Sequence, residues 1–257
     1  MFFQLNPELT DRFHSDGFLI VQGLLDIEEA NLLMKLAKSD QVLIQQAYAK
    51  RDASGSESRL AVRNQLDESP YASIVRSRRI VDTMQGLLGD EVYHYHHKMM
   101  LKEPLVGGAW EWHQDYGYWY NNGCLYPDMA SCLIAIDRAS KANGCLQVIK
   151  GSHKMGRIDH VQTGDQTGAD LSRVNAALER MELIHCELDP GDAIFFHGNL
   201  LHRSDQNRSE HPRWSLICCY NTRHNDPVVT DGRHPNYSPL EILDDDQIKT
   251  TLNQLVD

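Results

Sequence analysis

Long apolar runs are missing from this sequence. No stretch approaches the roughly 20 apolar residues that cross a membrane, which argues against a transmembrane protein. The first residues, MFFQLNPELTDRF, have neither a basic start nor a long apolar core, so we expect no secretory signal peptide. The six cysteines show no Cys-x-x-Cys spacing, which argues against a zinc ribbon or a redox pair. We therefore expect reduced thiols in a cytoplasmic protein.

Basic clusters are also scarce. The net charge is -11, and there is no run of Lys or Arg beyond Arg76, Arg78 and Arg79. Because nucleic-acid-binding proteins normally carry a basic patch or stripe, we expect no nucleic-acid partner. An acidic surface attracts cationic ligands weakly at long range. The alternative is that the charge only keeps the protein soluble.

The length of the chain allows a sizeable core. Its 257 residues, 41% of them hydrophobic, suffice for one large domain or two small ones. There is no internal repeat, and we predict a single domain over residues 1–257. Within it we expect a helical part at about 1–90, a β core at about 91–224 and a tail at 225–257.

Helix signals are concentrated in the first part of the chain. Gly17 is a typical helix-ending residue, and Asp26 with Glu29 three positions later predicts a capping box. The local patterns predict helices at 8–16, 26–39 and 72–88, a strand at 18–25 and a polar loop at 52–58.

From about residue 91, short β-rich runs alternate with turn signals such as Asn143-Gly144. Strands at this spacing are typical of a sandwich or jelly roll, so we predict a mainly β fold with flanking helices. Segment 155–181 is longer and more polar, and its end at 170–181 predicts a helix. Loops of this length often form lids, but a plain surface excursion fits equally well. The predicted strands are 91–102, 110–119, 130–137, 144–149, 183–188, 192–197 and 213–222.

The motif His-x-Asp occurs three times, beginning at His14, His113 and His224. On a strand, residues i and i+2 project from one face, as two ligands of one metal ion must. The first copy lies in a predicted helix, where i and i+2 are about 200° apart around the axis. The third has little chain after it. The second, His113-Gln114-Asp115, lies in a strand-like run and is the best candidate.

A third ligand should come from a late strand, where His197 and His202 compete. His202 is followed eleven positions later by Arg213, at the start of an apolar strand. A co-substrate with a distal carboxylate needs a fixed cation, and arginine provides bidentate, permanently charged recognition. Ser215 shares the face of Arg213 and adds a hydroxyl. Two histidines and one carboxylate leave three coordination positions of Fe(II) open.

These features together resemble the phytanoyl-CoA dioxygenase family of Fe(II)/2-oxoglutarate oxygenases. The resemblance covers most of the chain, from about Phe13 to Tyr220, and implies a double-stranded β-helix, the cupin-like jelly roll. The motifs that carry it are Asp16-Gly17-Phe18-Leu19-Ile20-Val21, Trp112-His113-Gln114-Asp115, Asn143-Gly144-Cys145-Leu146, Gly151-Ser152-His153-Lys154, Pro190-Gly191-Asp192-Ala193-Ile194-Phe195-Phe196-His197, and Leu201-His202 with Arg213.

The resemblance implies iron ligands at His113, Asp115 and His202, and a carboxylate clamp for 2-oxoglutarate at Arg213. The cofactors that the resemblance implies are Fe(II), 2-oxoglutarate and molecular oxygen, with ascorbate as a reductant in vitro. The implied reaction hydroxylates a C–H bond and yields succinate and CO2. Related halogenases replace the carboxylate ligand with a small residue, so Asp115 favours hydroxylation.

Other pocket positions also follow from the resemblance. It implies that Ser204, Gln114 and Lys98 touch the co-substrate. Some relatives have methionine at the position of Lys98 and tryptophan at that of Leu133, so the pocket wall of this chain differs from theirs. The phytanoyl substrate itself is not implied, because the sequence shows no basic cluster for the phosphates of coenzyme A.

The substrate is expected to be a small metabolite, cationic or zwitterionic. Aromatic residues 116–120 follow the first ligands directly, and aromatic rings can form a cage for an amine; the alternative is that they only pack. His94 and His96 lie on the predicted face of Lys98 and line the pocket or belong to the core. Further pocket candidates are Asn121, Asn122 and Arg157.

Two other functions compete with the hydroxylase. One is a non-catalytic sensor barrel that keeps a metal and binds a small molecule without turnover. Intact ligands and Arg213 argue against it. The other is a cupin-type metalloenzyme that does not use 2-oxoglutarate, for which Arg213 would have no purpose. The sequence leaves the oligomeric state open.

Overall fold

The computed structural model describes residues 3–230, 232 and 234–253. Within these residues we number eight α-helices and thirteen strands. The helices are α1 Pro7–Asp16, α2 Ile27–Ser39, α3 Gln41–Gln46, α4 Pro70–Val75, α5 Arg78–Leu88, α6 Asp115–Trp119, α7 Leu171–Leu178 and α8 Gln247–Asn253. The strands are β1 Phe18–Val21, β2 Tyr48–Arg51, β3 Glu57–Arg63, β4 Val92–Lys102, β5 Trp110–His113, β6 Met129–Ala135, β7 Leu146–Ile149, β8 His160–Thr163, β9 Gln166–Ala169, β10 Leu183–Cys186, β11 Ala193–His197, β12 His202–Ser204 and β13 Arg213–Thr222.

Two antiparallel sheets form the body of the fold. The larger has the order β1-β11-β6-β13-β4-β3-β2, and the smaller has the order β10-β7-β12-β5. From β4 to β7 and again from β10 to β13, consecutive strands alternate between the two sheets, as in a jelly roll. Strands β8 and β9 form a separate hairpin. This arrangement agrees with the predicted mainly β fold.

The hydrophobic core has two main layers. Between the sheets, apolar side chains of the large sheet such as Leu133 and Ile194 pack with Leu146 and Val148 of the small one. The other face of the large sheet is covered by helices, and Leu216 there packs in one cluster with residues of α2, α5 and α8. Burial of this apolar surface is the main driving force of the fold. The space between the sheets is where a site can form.

The N-terminal helices begin and end at the predicted signals. Gly17 ends α1 with φ of 85°, a left-handed conformation that glycine adopts without strain. Asp26 and Glu29 form the predicted capping box at the start of α2. Glu29 also pairs with Arg79 of α5 at 2.8 Å, and both side chains are buried. The capping residue therefore also connects two helices.

Other boundaries differ from the prediction. The expected helix at 72–88 is split, because the chain bends at Arg76 and Ser77 where the backbone pairs with Leu243 of the tail. The expected strand at 110–119 ends at His113, and α6 begins at Asp115. There the Tyr116 amide donates to Gly198 instead of continuing a strand ladder, at 2.9 Å.

The remaining long segments are ordered elements. Segment 155–181 contains the β8–β9 hairpin and α7, and Asp170 caps α7 as its side chain accepts from Ser172. Its role as a lid stays a prediction. In the tail, Ile248 and Leu252 of α8 join the core beneath the large sheet. The division into a helical part, a β core and a tail within one domain also stays a prediction. None of the helices in the described residues is long and apolar enough to cross a membrane.

Candidate metal centre

Two neighbouring strands of the small sheet bring the candidate ligands together. Strand β12 pairs with β5 so that His202 lies opposite His113. The Oδ1 atom of Asp115 lies 3.7 Å from Nε2 of His113 and 4.0 Å from Nε2 of His202. All three ligand atoms lie within 4.8 Å of one another, as the ligands of one metal ion require, and all three residues are buried. No other such group of three is found in the described part of the chain.

Backbone carbonyls fix the orientation of both imidazoles. Nδ1 of His113 donates to the carbonyl of Glu111 at 2.7 Å, and Nδ1 of His202 donates to that of Leu200 at 2.9 Å. Each ring therefore keeps its proton on Nδ1 and presents Nε2 as a free lone pair. This is the arrangement that a metal-binding histidine needs.

The carboxylate is oriented in a similar way. The Ser131 hydroxyl donates to Oδ2 of Asp115 at 3.1 Å, which leaves Oδ1 facing the two imidazoles. Burial alone would raise the pKa of Asp115, but Lys98, His202 and His96 outweigh it, and the net shift is downward. Asp115 is therefore ionised at neutral pH.

Burial also sets the charge of the histidines. It lowers the pKa of His113 well below its ordinary value, with a further contribution from His202. Burial lowers the pKa of His202 as well, although the Asp115 carboxylate opposes the shift. Two neutral imidazoles and one carboxylate are the donor set of non-haem Fe(II) sites.

The other His-x-Asp copies lie elsewhere. The backbone carbonyl of His14 accepts from His153 at 3.1 Å, and Asp16 pairs with Lys150. His224 is half-exposed and lies between two other carboxylates, at 2.8 Å from each. Neither copy approaches a second histidine and carboxylate as the central one does.

His197, the rival third ligand, also lies away from the group. Its Nδ1 accepts from the Asn199 amide at 3.0 Å, and its ring packs against Phe13 and His153. The structure therefore brings His202, and not His197, to His113.

A cavity beside the three ligand residues contains most of the expected co-substrate residues. Arg213, Ser204, Ser215 and Lys98 all line it. Lys98 lies closest to the ligands, since its Nζ is 4.0 Å from Oδ1 of Asp115. The apolar walls of the cavity come from both sheets and consist of Met100, Trp110, Leu133, Leu146, Phe196 and Ile217. The cavity thus has two basic side chains, Lys98 and Arg213, in its lining together with the three ligand residues.

Arg213 is a buried charge without a partner. It is 3% exposed, its Nε has no hydrogen-bond partner, and no ion pair of Arg213 is found in the described part of the chain. Burial lowers its pKa to about 10, so the guanidinium still carries its charge at neutral pH. The buried Ser215 hydroxyl likewise has no hydrogen-bond partner among the described residues. An uncompensated buried charge is costly, and an anionic ligand in the cavity would remove the cost.

Gln114 does not lie in this cavity. Its side-chain amide donates to the carbonyls of Gly156 and Asn199, each at 2.8 Å, and accepts from the Ile158 amide at 2.7 Å. Neighbouring residues of an extended chain point to opposite sides, so Gln114 faces away from the group formed by its two neighbours. The contact with the co-substrate expected from the resemblance is replaced by contacts to the segment that follows residue 155.

The aromatic residues at 116–120 do not form an open cage. The Tyr116 hydroxyl donates to the carbonyl of Leu125 at 2.6 Å, and Trp119 is buried. Tyr120 is exposed but already lies beneath the Arg157 guanidinium, 4.6 Å from its ring centroid. Of these four rings, only that of Tyr118 lies against the three ligand residues, 5.7 Å from the ring of His113. Tyr116, Trp119 and Tyr120 therefore fit the alternative that these rings pack against the protein and do not bind an amine.

His94 and His96 are separated by a β-bulge. Tyr220 pairs with His94 and Cys219 with His96, so Tyr95 is an extra residue in β4. His96 therefore faces the interior between the sheets, where its ring meets that of Trp119 at 5.9 Å. His94 lies on the opposite face, and its Nε2 is 3.0 Å from Nδ1 of His97. Of the two, only His96 is near the metal group.

Sequence reasoning missed two residues beside the site. Ser131 orients Asp115, but a serine within an apolar strand carries no distinctive signal. Lys102 is fully buried and donates to Ser204 at 2.9 Å. A lysine that ends an apolar strand, in Met99-Met100-Leu101-Lys102, normally marks a surface turn, so its burial could not be seen from the sequence.

Fold and site together define a class: a jelly-roll protein with two histidines and one carboxylate facing a buried pocket, as in mononuclear non-haem iron oxygenases. Comparison with known proteins gives the family. Residues 13–215 match the family model described as Phytanoyl-CoA dioxygenase (PhyH), and the chain belongs to this family.

Curated relatives include enzymes with different substrates. The L-proline trans-4-hydroxylase of Streptomyces griseoviridis is 32% identical over 190 residues, which are 68% of this chain and 69% of that protein. The ectoine dioxygenase of Nocardia farcinica is 24% identical over 252 residues, or 91% of this chain and 85% of that protein.

A solved structure supports the fold. EctD from S. alaskensis with bound Fe has a TM-score of 0.78 at 21% identity, covering 93% of this chain and 88% of that one. The predicted jelly-roll fold is thereby confirmed. The chain is a 2-oxoglutarate-dependent dioxygenase, and the predicted cofactors Fe(II), 2-oxoglutarate and oxygen are confirmed as those of its family.

Proposed function

We propose that this dioxygenase hydroxylates a C–H bond of a small cationic or zwitterionic metabolite, and we favour a zwitterion. His113, Asp115 and His202 would hold the iron, and Arg213 would hold the distal carboxylate of 2-oxoglutarate. The observation that carries the proposal is the buried Arg213 guanidinium, whose Nε has no hydrogen-bond partner in the described part of the chain and which lies in the same cavity as the three ligand residues.

The three ligand residues fit Fe(II) by their chemistry. Both imidazoles present an unprotonated Nε2, and Asp115 presents an ionised oxygen held in place by Ser131. When bound, Fe(II) and 2-oxoglutarate supply the oxidising chemistry, while the protein orients and shields the reactants. Asp115 occupies the position that a halide would need, which supports hydroxylation over halogenation.

The co-substrate end fits a dicarboxylate. Arg213 offers a charged fork of donors, and the Ser204 and Ser215 hydroxyls line the same cavity. Lys98 would bind the carboxylate nearer the metal. Its pKa is raised because Asp115 outweighs the effect of burial, so it stays charged. We no longer assign Gln114 to this pocket, since its amide is fully used elsewhere.

The substrate class rests on two supports. The relatives named for L-proline and ectoine act on small molecules that carry both a carboxylate and a basic nitrogen. His96 faces the interior between the sheets and lies near enough to Asp115 to lower the pKa of that carboxyl, so it would offer a polar contact to such a molecule. The rings at 116–120, apart from Tyr118, are engaged in packing, so we do not assign amine recognition to them.

We also propose a cytoplasmic location without a nucleic-acid or membrane partner. Cys132 and Cys218 lie opposite each other on neighbouring strands and still remain free thiols. All six cysteines are buried and unpaired, which suits a reducing compartment. The net charge of -11 argues against binding to phosphates.

One assay tests the proposal. Succinate formation from 2-oxoglutarate is measured with Fe(II), oxygen and ascorbate against a panel of amino acids, betaines, amines and aminophosphonates. Wild type should turn over with at least one of them, Arg213→Ala should lose at least 100-fold in kcat/KM for 2-oxoglutarate (about 2.7 kcal/mol), and the exposed Arg173→Ala should match wild type. No substrate-stimulated turnover would favour the sensor barrel, and turnover that ignores 2-oxoglutarate would favour the cupin-type enzyme.

A further inference from the structure

Lys102 is a fully buried lysine and the last residue of β4. It is 0% exposed, although lysine is rarely buried without a paired charge. Its Nζ donates to the Ser204 hydroxyl oxygen at 2.9 Å and to the backbone carbonyl of Asp205. No ion pair of Lys102 is found among the described residues. Both of its partners are therefore neutral oxygen atoms.

The surroundings of Lys102 are more positive than negative. Arg213 is its register partner on β13, and Arg203 lies on β12. The opposing groups are Asp52 and the buried Cys145 thiol. Of these, Asp52 lies in the loop after β2 and has its carboxylate already filled by hydrogen bonds. Two basic side chains, Lys102 and Arg213, are thus buried side by side, and neither is in contact with a carboxylate of the described residues.

Ser204 connects this lysine to the co-substrate cavity. When Lys102 is protonated its ammonium group can only donate, so Ser204 is then the acceptor in their hydrogen bond. The proton of the Ser204 hydroxyl then remains free, and Ser204 lines the same cavity as Arg213 and Ser215. The lysine therefore determines in which direction the serine can donate.

We propose that Lys102 is a positioning residue of the co-substrate site: it holds the Ser204 hydroxyl ready to donate to the distal carboxylate of 2-oxoglutarate, and it supplies a second positive charge behind Arg213 when that carboxylate is bound. This inference rests on the proposed function and deepens it. It assigns a role in binding the dicarboxylate to a residue outside the cavity wall.

The proposal has a consequence for protons. Burial and the neighbouring Arg213 keep the pKa of Lys102 well below the ordinary value for lysine. A carboxylate bound beside Ser204 stabilises the ammonium form and raises that pKa. Binding of 2-oxoglutarate is therefore accompanied by proton uptake, and affinity falls as pH rises.

The test measures 2-oxoglutarate binding by titration calorimetry of the iron-loaded enzyme under anaerobic conditions. Titrations in buffers of different ionisation enthalpy, between pH 7 and 9, give the number of protons taken up. We expect proton uptake in wild type. In Lys102→Met we expect its loss, with Kd for 2-oxoglutarate raised about tenfold or more. Lys102→Arg should recover part of the affinity, and the exposed Lys35→Met should behave as wild type.

Kinetics provide a second readout. Lys102→Met should raise KM for 2-oxoglutarate and leave kcat within about threefold, whereas a merely structural role would lower stability and kcat together. Ser204→Ala should also raise KM, and the double variant should raise it by less than the product of the two single effects, because both substitutions weaken the contact of Ser204 with the carboxylate.

The outcomes separate the inference from the proposed function. Wild-type affinity and proton uptake in Lys102→Met, with binding lost in Arg213→Ala, would overturn the inference and leave the function standing. If wild type does not bind 2-oxoglutarate at all, the function itself fails. If Lys102→Met does not fold, the wild-type proton count decides, and zero uptake overturns the inference.

Discussion

His202 lies directly opposite His113 across the β5–β12 pair, with 4.0 Å between their ring centroids. One strand pairing therefore positions two of the three ligand residues, and the third, Asp115, begins helix α6. Each ring is also held by the carbonyl two residues before it in the chain, at Glu111 and at Leu200. A ligand set made in this way is rigid before a metal binds, which limits the reorganisation needed on binding.

The two late histidines are expected to respond differently to substitution. His202→Ala should reduce bound iron by at least tenfold and abolish activity, because it removes one of three ligands. His197→Ala should keep iron and activity, since His197 packs against Phe13 and His153. Bound iron per chain after reconstitution is measured together with succinate formation. The reverse result for the two histidines would overturn the ligand assignment.

Ser131 is expected to tune the iron site without being a ligand. Ser131→Ala removes the hydrogen bond that holds Oδ2 of Asp115, and loss of such an outer contact typically weakens metal affinity about 10- to 100-fold. Iron affinity is measured by competition with a chelator. Ser58→Ala is a matched control, because Ser58 is equally buried and donates to the Gly108 carbonyl. If both variants bound iron with the same affinity, Ser131 would have no role in orienting Asp115 for the metal.

The sequence predicted the three residues that the structure brings together, His113, Asp115 and His202, because their signals are local or fixed by spacing. The role of Arg213 as the carboxylate clamp stays a prediction. His113 and Asp115 are two residues apart on extended backbone, and Arg213 follows His202 at a distance that fits one loop between two strands. Gln114 was assigned less well. Resemblance gives the position of a residue but not the side to which its amide turns, and here that amide binds Gly156 and Ile158.

Short polar strands were missed for a related reason. Strands β2, with sequence Tyr48-Ala-Lys-Arg51, and β12, with His202-Arg-Ser204, have no apolar alternation, and only their neighbours in the sheet make them strands. The bulge at Tyr95 was also not visible in the sequence. The alternation of side chains along a strand predicts His94 and His96 on one face, and the extra residue in β4 places them on opposite faces.

Gln114 is expected to support the segment after residue 155 and not the co-substrate. Gln114→Glu replaces two donated hydrogen bonds with a carboxylate facing the carbonyls of Gly156 and Asn199. Loss of such buried contacts costs about 1–3 kcal/mol each. We expect a Tm lower by several degrees and faster proteolysis between residues 156 and 169, with an unchanged Kd for 2-oxoglutarate. A higher Kd at unchanged Tm would restore the contact implied by the resemblance.

His224 is expected to make stability depend on pH near neutrality. Hydrogen bonds to Asp90 and Asp128 raise its pKa above 6.5, so its contribution is fully present below about pH 6.5 and is lost as pH rises through the raised value. The site is half-exposed, which limits the contribution to about 1 kcal/mol or less. His224→Gln should therefore lower the free energy of unfolding at pH 6 and have little effect at pH 9. Urea unfolding of both proteins at the two pH values measures the difference. A loss that is the same at both would mean that packing, and not the charged form, is what His224 contributes.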